Sequence, residues 1–318
     1  MVAEDAPQPG VGEALVRMEA CGICHSDLFV AGLEKLPLTP LTLGHEGIGR
    51  VEALGPDVTG IAIGDRVGVT FLAATCGDCQ LCRSGQERYC PKQLNSGFTV
   101  DGALADHAIV RTQHLARVPE TLSAAEAAPL CCAGWTAYAA VRESGLAEGA
   151  MLAVFGMGGL GHLAVQYGRA RALRVVVADV SESKLEQARA LGAEFAVAAE
   201  TAGRTLQKQY GGVDAAVVLT ASPAAIEQAF RSVKRTGTVI LVGLSTSEYT
   251  LPVVDTVLKG IRIHGSYLGT RADLAAVFRL AVEAGVKPHI ETYSIELAPA
   301  AIEKLRAGAV AGRAVVVF

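Results

Sequence analysis

Four cysteines stand in the pattern Cys76-x2-Cys79-x2-Cys82-x7-Cys90, interleaved with the turn formers Gly77, Asp78, Ser84 and Gly85. Thiolates at this spacing, on a chain able to fold back sharply, suit a tetrahedral Zn²⁺ with Zn–S bonds of about 2.3 Å. Four sulfurs leave no open coordination position, so the expected role is structural rather than catalytic. Disulfides are the alternative chemistry. The first ten residues, MVAEDAPQPG, carry acids and prolines and no apolar run, which reads as no secretory signal. Eight cysteines in such a chain point to a reducing, cytoplasmic setting, where clustered thiols bind metal more often than they pair.

A second set is dispersed: Cys24-His25-Ser26-Asp27, Gly44-His45-Glu46, and Cys132. One histidine and two cysteines make a zinc set that leaves a fourth position for water or substrate. Taken singly, Cys132 beside Cys131 also reads as buried core, and His45 as a satisfied loop histidine. The third constellation is Gly156-Met157-Gly158-Gly159-Leu160-Gly161, set between the apolar run Leu152–Phe155 and a helix-period segment. In that strand–turn–helix context glycines let a pyrophosphate approach the backbone N–H groups at a helix N-terminus. Asp179 ends the next apolar run, placed to accept from ribose hydroxyls and to repel a 2′-phosphate, which favours NAD over NADP. A packing turn followed by a solvated aspartate is the plainer alternative.

These groups need elements to hold them. Up to about Pro129 the chain reads as short strands and glycine-rich turns: Val16, Met18 and Ala20 alternate with Arg17 and Glu19, and glycines punctuate brief apolar runs such as Ile61–Ile63 and Val67–Val69. That pattern suggests a small, twisted β-barrel. After Gly149, Leu152–Phe155, Val175–Ala178, Ala215–Leu219 and Val239–Val242 read as strands buried on both faces. Helix-period segments at Leu160–Ala172, Ser181–Leu191 and Pro223–Val233 separate them, so the expected fold class here is α/β, a doubly wound parallel sheet. Ile261–Tyr267 reads as its last strand and as a candidate edge for pairing across a two-fold axis. The chain then reads helix (Ala272–Ala284), helix (Pro299–Ala307) and a closing strand, Ala314–Phe318. With 318 residues, 51% apolar and 19% charged, whole-chain disorder is excluded. A net charge of −4 without a basic block argues against nucleic acid and anionic membrane as partners. The most apolar stretch, Met151–Gly168, is interrupted by glycines and holds His162 and Gln166, so it reads as soluble core.

Together these residues resemble the zinc-dependent medium-chain alcohol dehydrogenases. The likeness runs through Cys21-Gly-Ile-Cys-His-Ser-Asp27, Gly44-His-Glu-Gly-Ile-Gly49 with Gly55, Gly64-Asp-Arg-Val67, the four-cysteine loop, Cys132-Ala-Gly134, the GMGGLG turn, Gly265-Ser-Tyr267 and Gly312-Arg313. It implies a chaperonin-10-like β-barrel catalytic domain (residues 1–133 and 269–318) interrupted by a Rossmann NAD-binding domain (134–268). It also implies two zincs per subunit and reversible, NAD-linked conversion of alcohols to aldehydes or ketones by a homodimer or homotetramer.

Carried over by residue, Cys24, His45 and Cys132 correspond to catalytic zinc ligands, and Cys76, Cys79, Cys82 and Cys90 to structural ones. Cys21 and Cys131 match no ligand position and read as small buried hydrophobes. Asp27 resembles the carboxylate that orients the metal-bound histidine, Glu46 the acid behind the metal, and Ser26 the hydroxyl that receives the alcohol proton. His25 and Arg313 stand where the family places basic residues near the cofactor phosphates. Lys184 joins Gly156, Gly158, Gly159, Leu160, Gly161 and Asp179 in the expected cofactor-binding set, and Phe71 matches an aromatic walling the substrate pocket. Three departures stand out. The family has roughly one further hairpin, on the order of 15–20 residues, before the segment matching Val11–Ala20. The stretch between Phe29 and Gly44 is short. Phe29 stands where many members carry a proton-relay histidine, so protons are expected to leave by water or through His25. A polyol or aromatic-alcohol dehydrogenase on the same scaffold, and a non-catalytic NADH-binding zinc protein, are the competing readings.

Overall fold

The structure, a computed structural model, describes residues 7–318. The chain divides into two compact units, one running up to Trp135 and resuming as Thr270–Phe318, the other spanning Thr136–Gly269. The indole N–H of Trp135 donates to the Thr270 carbonyl at 2.8 Å, so the points where the chain leaves and re-enters the first unit are bonded together.

In the first unit a seven-stranded sheet is organised around the strand Glu13–Ile23. Its buried Val16, Met18 and Ala20 face the core while Arg17 is exposed, the alternation expected of a half-buried strand. Antiparallel neighbours are Gly47–Leu54 along most of its length, His107–Arg111 beside its first half and Arg313–Val317 beside its end. Register shifts at Leu15/Val16 and Met18/Ala20 bend the strand, which lets one strand serve three partners and curl the sheet. Arg66–Val69 and Ala116–Arg117 continue the sheet on one side and Ile290–Ser294 on the other. Gly47 has no room for a side chain, because a Cβ there would lie 2.5 Å from that of Ala103. Ile61–Ile63, an expected apolar run of the barrel, lies outside the strands.

The second unit is a six-stranded parallel sheet in the order Phe195–Ala198, Arg174–Asp179, Met151–Phe155, Val213–Val218, Val233–Leu241, Arg262–Gly265. By sequence this is 3-2-1-4-5-6, with the order reversing between the strands that begin at Met151 and Val213, the place where doubly wound sheets bind ligands. Helices Gly161–Ala170, Glu182–Ala190 and Pro223–Ser232 answer the expected segments. The strand Phe195–Ala198 and the helix Ala202–Tyr210 between them were not foreseen. Phe155, Val176, Ala216, Val218 and Phe230 fill the core. The last strand is exposed along its length at the sheet edge. Among the described residues no helix is long and apolar enough to cross a membrane.

Candidate metal centres and dinucleotide turn

In the four-cysteine loop, Gly77 and Gly85 both take φ of +72°, making the reversals that bring the sulfurs together. Sγ–Sγ separations are 3.5 Å for Cys79 and Cys82, 3.9 Å for Cys76 and Cys82, and 3.5 Å for Cys76 and Cys90. A tetrahedron with Zn–S bonds of about 2.3 Å has edges of about 3.8 Å, so the four thiols fit that ion and lie too far apart for disulfides. Cys79 also caps the helix Gln80–Arg83, its sulfur accepting the Cys82 N–H. That amide holds the Cys79 thiol down at about 7, favouring the thiolate a metal needs.

The dispersed set converges as well. Cys24, His45, Glu46 and Cys132 are buried, with their ligand atoms all within 4.8 Å of one another. Cys24 ends the central strand's exit and caps a helix, His25–Ala31, that sequence patterning did not reveal; it carries His25, Ser26 and Asp27. The Asp27 carboxylate, 3% exposed, accepts three donors: the Cys24 amide at 2.7 Å, the Gly44 amide at 3.2 Å and His45 Nδ1 at 3.0 Å. In the neutral ring, with Nδ1–H given to Asp27, His45 Nε2 offers a lone pair, and that atom is buried and without a hydrogen-bond partner among the described residues. Such an orphan among two thiols fits a bound zinc. Burial acts to lower the His45 pKa, but the Asp27 carboxylate outweighs it and the ring is held above its usual value. Hydrogen bonding from Cys132 draws the Cys24 thiol down and correspondingly pushes the Cys132 thiol up.

Ser26 Oγ lies 3.8 Å from Cys24 Sγ, and Phe71 meets the His45 ring edge-on at 5.2 Å. Glu46 is fully buried, and burial pushes its carboxyl up to about 7 while Arg313 pulls the other way. The Arg313 guanidinium, 2% exposed, donates to Glu46 Oε1, a partner the resemblance does not give it. Gly22 makes the space: a Cβ there would fall 2.0 Å from Glu46 Oε2. Sequence reasoning missed this packing, whose only signal was a glycine two residues before a ligand. His25 and Phe29 are both exposed, Phe29 at 63%, so Phe29 does not pack the barrel. Cys21 and Cys131 are buried outside both sulfur groups.

In the second unit the glycines of the turn have separable tasks. Gly156 takes φ of +94°, a Cβ on Gly161 would strike the Gly156 carbonyl at 2.0 Å, and a Cβ on Gly158 would meet nothing within 4 Å. The first permits the turn, the last permits helix-on-strand packing, and the middle one leaves the cradle bare for a phosphate. Leu160 is the N-cap of the helix that follows. Asp179, 6% exposed, accepts the Met157 amide at 2.6 Å and the Ser181 amide at 3.0 Å, so it anchors the turn. Each carboxylate oxygen keeps lone-pair capacity for a further donor. Lys184 is exposed on the helix Glu182–Ala190.

Comparison with known proteins agrees with both units. Residues 10–120 match the alcohol dehydrogenase GroES-like domain, and residues 159–283 the zinc-binding dehydrogenase domain. An alcohol dehydrogenase of Geobacillus stearothermophilus is 42% identical over 318 aligned residues, covering 98% of this chain and 94% of that protein. The solved alcohol dehydrogenase of Aeropyrum pernix superposes with a TM-score of 0.91 at 31% identity, covering 100% of this chain and 96% of that one. Acetophenone reductase from Geotrichum candidum, solved in complex with NAD, gives a TM-score of 0.87 at 30% identity, covering 98% and 92%. Identity over nearly the full length, together with two sulfur sites, one of them wholly buried, and a glycine-rich strand–turn–helix, makes this chain a member of the zinc-type medium-chain alcohol dehydrogenase family.

Proposed function

We propose that this chain oxidises alcohols to aldehydes or ketones, reversibly, using NAD and two zincs, one in each sulfur site. The observation that carries the reading is His45 Nε2, buried and unpartnered between Cys24 and Cys132. Zinc held there supplies a Lewis acid that brings an alcohol hydroxyl's pKa toward neutrality, and the nicotinamide supplies the hydride acceptor. Asp27 keeps the His45 ring turned, and the Glu46–Arg313 pair balances charge behind the thiolates. Ser26 Oγ takes the hydroxyl proton. With an aromatic ring at Phe29, that proton leaves by water or through exposed His25. Asp179 accepts from the ribose diol and repels a 2′-phosphate, so NAD is preferred over NADP. Lys184 lies close enough in sequence to serve the same cofactor.

The substrate is a small alcohol or aldehyde. The edge strand Arg262–Gly265, with its outer hydrogen-bonding side open, supports assembly with a second copy into a homodimer or homotetramer. Eight unbridged thiols suit the reducing cytoplasm. The test is direct: protein, NAD and ethanol or benzyl alcohol are mixed and the absorbance of reduced nicotinamide is followed, then repeated over alcohols of increasing size. Reduction of NAD by at least one alcohol is expected. None from any alcohol, with both zincs present, refutes catalysis and leaves an NADH-binding zinc protein.

A further inference from the structure

The dinucleotide turn has a buried histidine behind it. His162, 2% exposed, is the second residue of the helix Gly161–Ala170. Its Nδ1 lies 3.1 Å from the Gly158 carbonyl oxygen, which also accepts the His162 backbone N–H at 3.3 Å. A carbonyl can only accept, so Nδ1 carries a proton and donates. The Gln166 side-chain amide donates to the His162 carbonyl at 3.0 Å and ties the same helical turn.

The consequence follows from peptide geometry. A trans peptide is planar, with its C=O and N–H pointing in opposite directions. Holding the Gly158 carbonyl against the imidazole therefore turns the Gly159 N–H the other way. Among the described residues the amides of Gly158, Gly159 and Leu160 donate to no backbone carbonyl, and Gly158 is bare of neighbours where a side chain would stand. On the other flank Asp179 holds the Met157 N–H at 2.6 Å. Two side chains thus fix two peptides of one turn, one through a donor and one through an acceptor.

We propose that His162 is a positioning residue for the dinucleotide: by holding the Gly158 carbonyl, it aims the Gly159 N–H at a phosphate of the cofactor. The proposal rests on the reading of this turn as the pyrophosphate site. It assigns His162 an effect on ligands that carry phosphate and none on ligands that lack it.

The experiment compares zinc-loaded parent, His162→Phe and His162→Asn by calorimetric titration with NADH, ADP and adenosine, alongside thermal unfolding. Phenylalanine keeps a ring and removes the donor; asparagine puts an amide N–H where Nδ1 stood. Loss of one such hydrogen bond predicts that His162→Phe weakens NADH and ADP by about tenfold, with adenosine unchanged. His162→Asn should recover affinity to within about threefold of the parent. His162→Leu repeats the test with a smaller apolar side chain should the phenyl ring not fit. Parent-like ADP binding in the apolar variants, equal loss of adenosine and ADP, or an asparagine variant as weak as phenylalanine would overturn the proposal. A parent that binds neither ADP nor NADH would overturn the dinucleotide reading itself, and this inference with it.

Discussion

Asp27→Asn is the perturbation that tests the proposed catalytic site most directly. The carboxylate accepts the Cys24 amide on one oxygen, and the Gly44 amide and His45 Nδ1 on the other. Asparagine keeps one oxygen. Left facing Gly44 and His45, it sets an NH2 against the Cys24 N–H where the donor and acceptor now stand 2.7 Å apart. Turned over, it opposes two donors instead. The milder orientation still loses one hydrogen bond to a charged acceptor and leaves a buried donor facing a donor, a cost of about 2–3 kcal/mol. The bond to His45 survives in its neutral form at roughly half its former strength. A metal ligand whose orienting carboxylate is removed characteristically loses about 10–100-fold in metal affinity. The assay is zinc content by elemental analysis after dialysis against graded chelator. The variant should surrender one zinc at roughly ten- to a hundredfold lower chelator than the parent and keep the other, with turnover falling alongside. Retention of both zincs at the parental chelator midpoint, with turnover within about threefold, would show that Asp27 does not set the His45 tautomer for a metal.

Other substitutions separate the remaining sites. Cys82→Ala removes a sulfur 3.5 Å from Cys79, and because structural zinc contributes folding free energy the chain should aggregate or lose a cooperative unfolding transition; Cys24→Ala should keep the fold and lose turnover, and circular dichroism with activity distinguishes them. Asp179→Gly should admit NADP by removing a like charge, yet weaken both cofactors because the Met157 and Ser181 amides lose their acceptor; an unmutated enzyme equally efficient with NAD and NADP would refute the first half. Phe29→His should raise turnover near neutral pH by about tenfold, since a neutral imidazole with a reference pKa of ~6.5 can relay a proton; an unmoved pH–rate profile at saturating alcohol refutes the relay position. Glu291 is held at about 2 by Lys304, the Ala311 amide and Tyr293. A depressed carboxyl contributes stability above its unfolded value of ~4.3 that is lost as pH falls through the folded one, so Glu291→Gln should flatten the acid limb of the stability curve between about pH 4 and 2 and lower the neutral unfolding midpoint by roughly 2–4 °C.

How far the sequence revealed each part depends on where the determining interactions lie. The parallel sheet was legible because Leu152, Val154, Val176 and Val217 are wholly buried, so its strands appear as unbroken apolar runs. Its glycines act within six residues of one another. Ile290–Ser294 shows no such signal: its residues are half-exposed or exposed, and it is a strand because Arg313–Val317 pairs with it in parallel. Ile61–Ile63 errs the other way, apolar in text but a loop in space. The helix His25–Ala31 was hidden by its length of seven residues and by a cysteine at its N-cap, where serine, threonine or aspartate would have announced it.

The two sulfur sites follow the same logic. The four-cysteine loop is closed by contacts within its own short segment, so spacing alone states its chemistry. The second site is assembled over distance: Asp27 reaches His45 across 18 positions, and Glu46 reaches Arg313 across 267. Spacing reveals nothing about such pairs, and only the identity of the motifs pointed to the ligands. What motifs omit is the space around them. Gly22 is a glycine because Glu46 occupies the volume its side chain would need. An alanine there would have to displace a fully buried carboxylate that is paired with a fully buried guanidinium, and parting such a pair costs several kcal/mol. The constraint that builds the back of the site thus acts through a residue with no side chain, which is why no reading of reactive residue types could have found it.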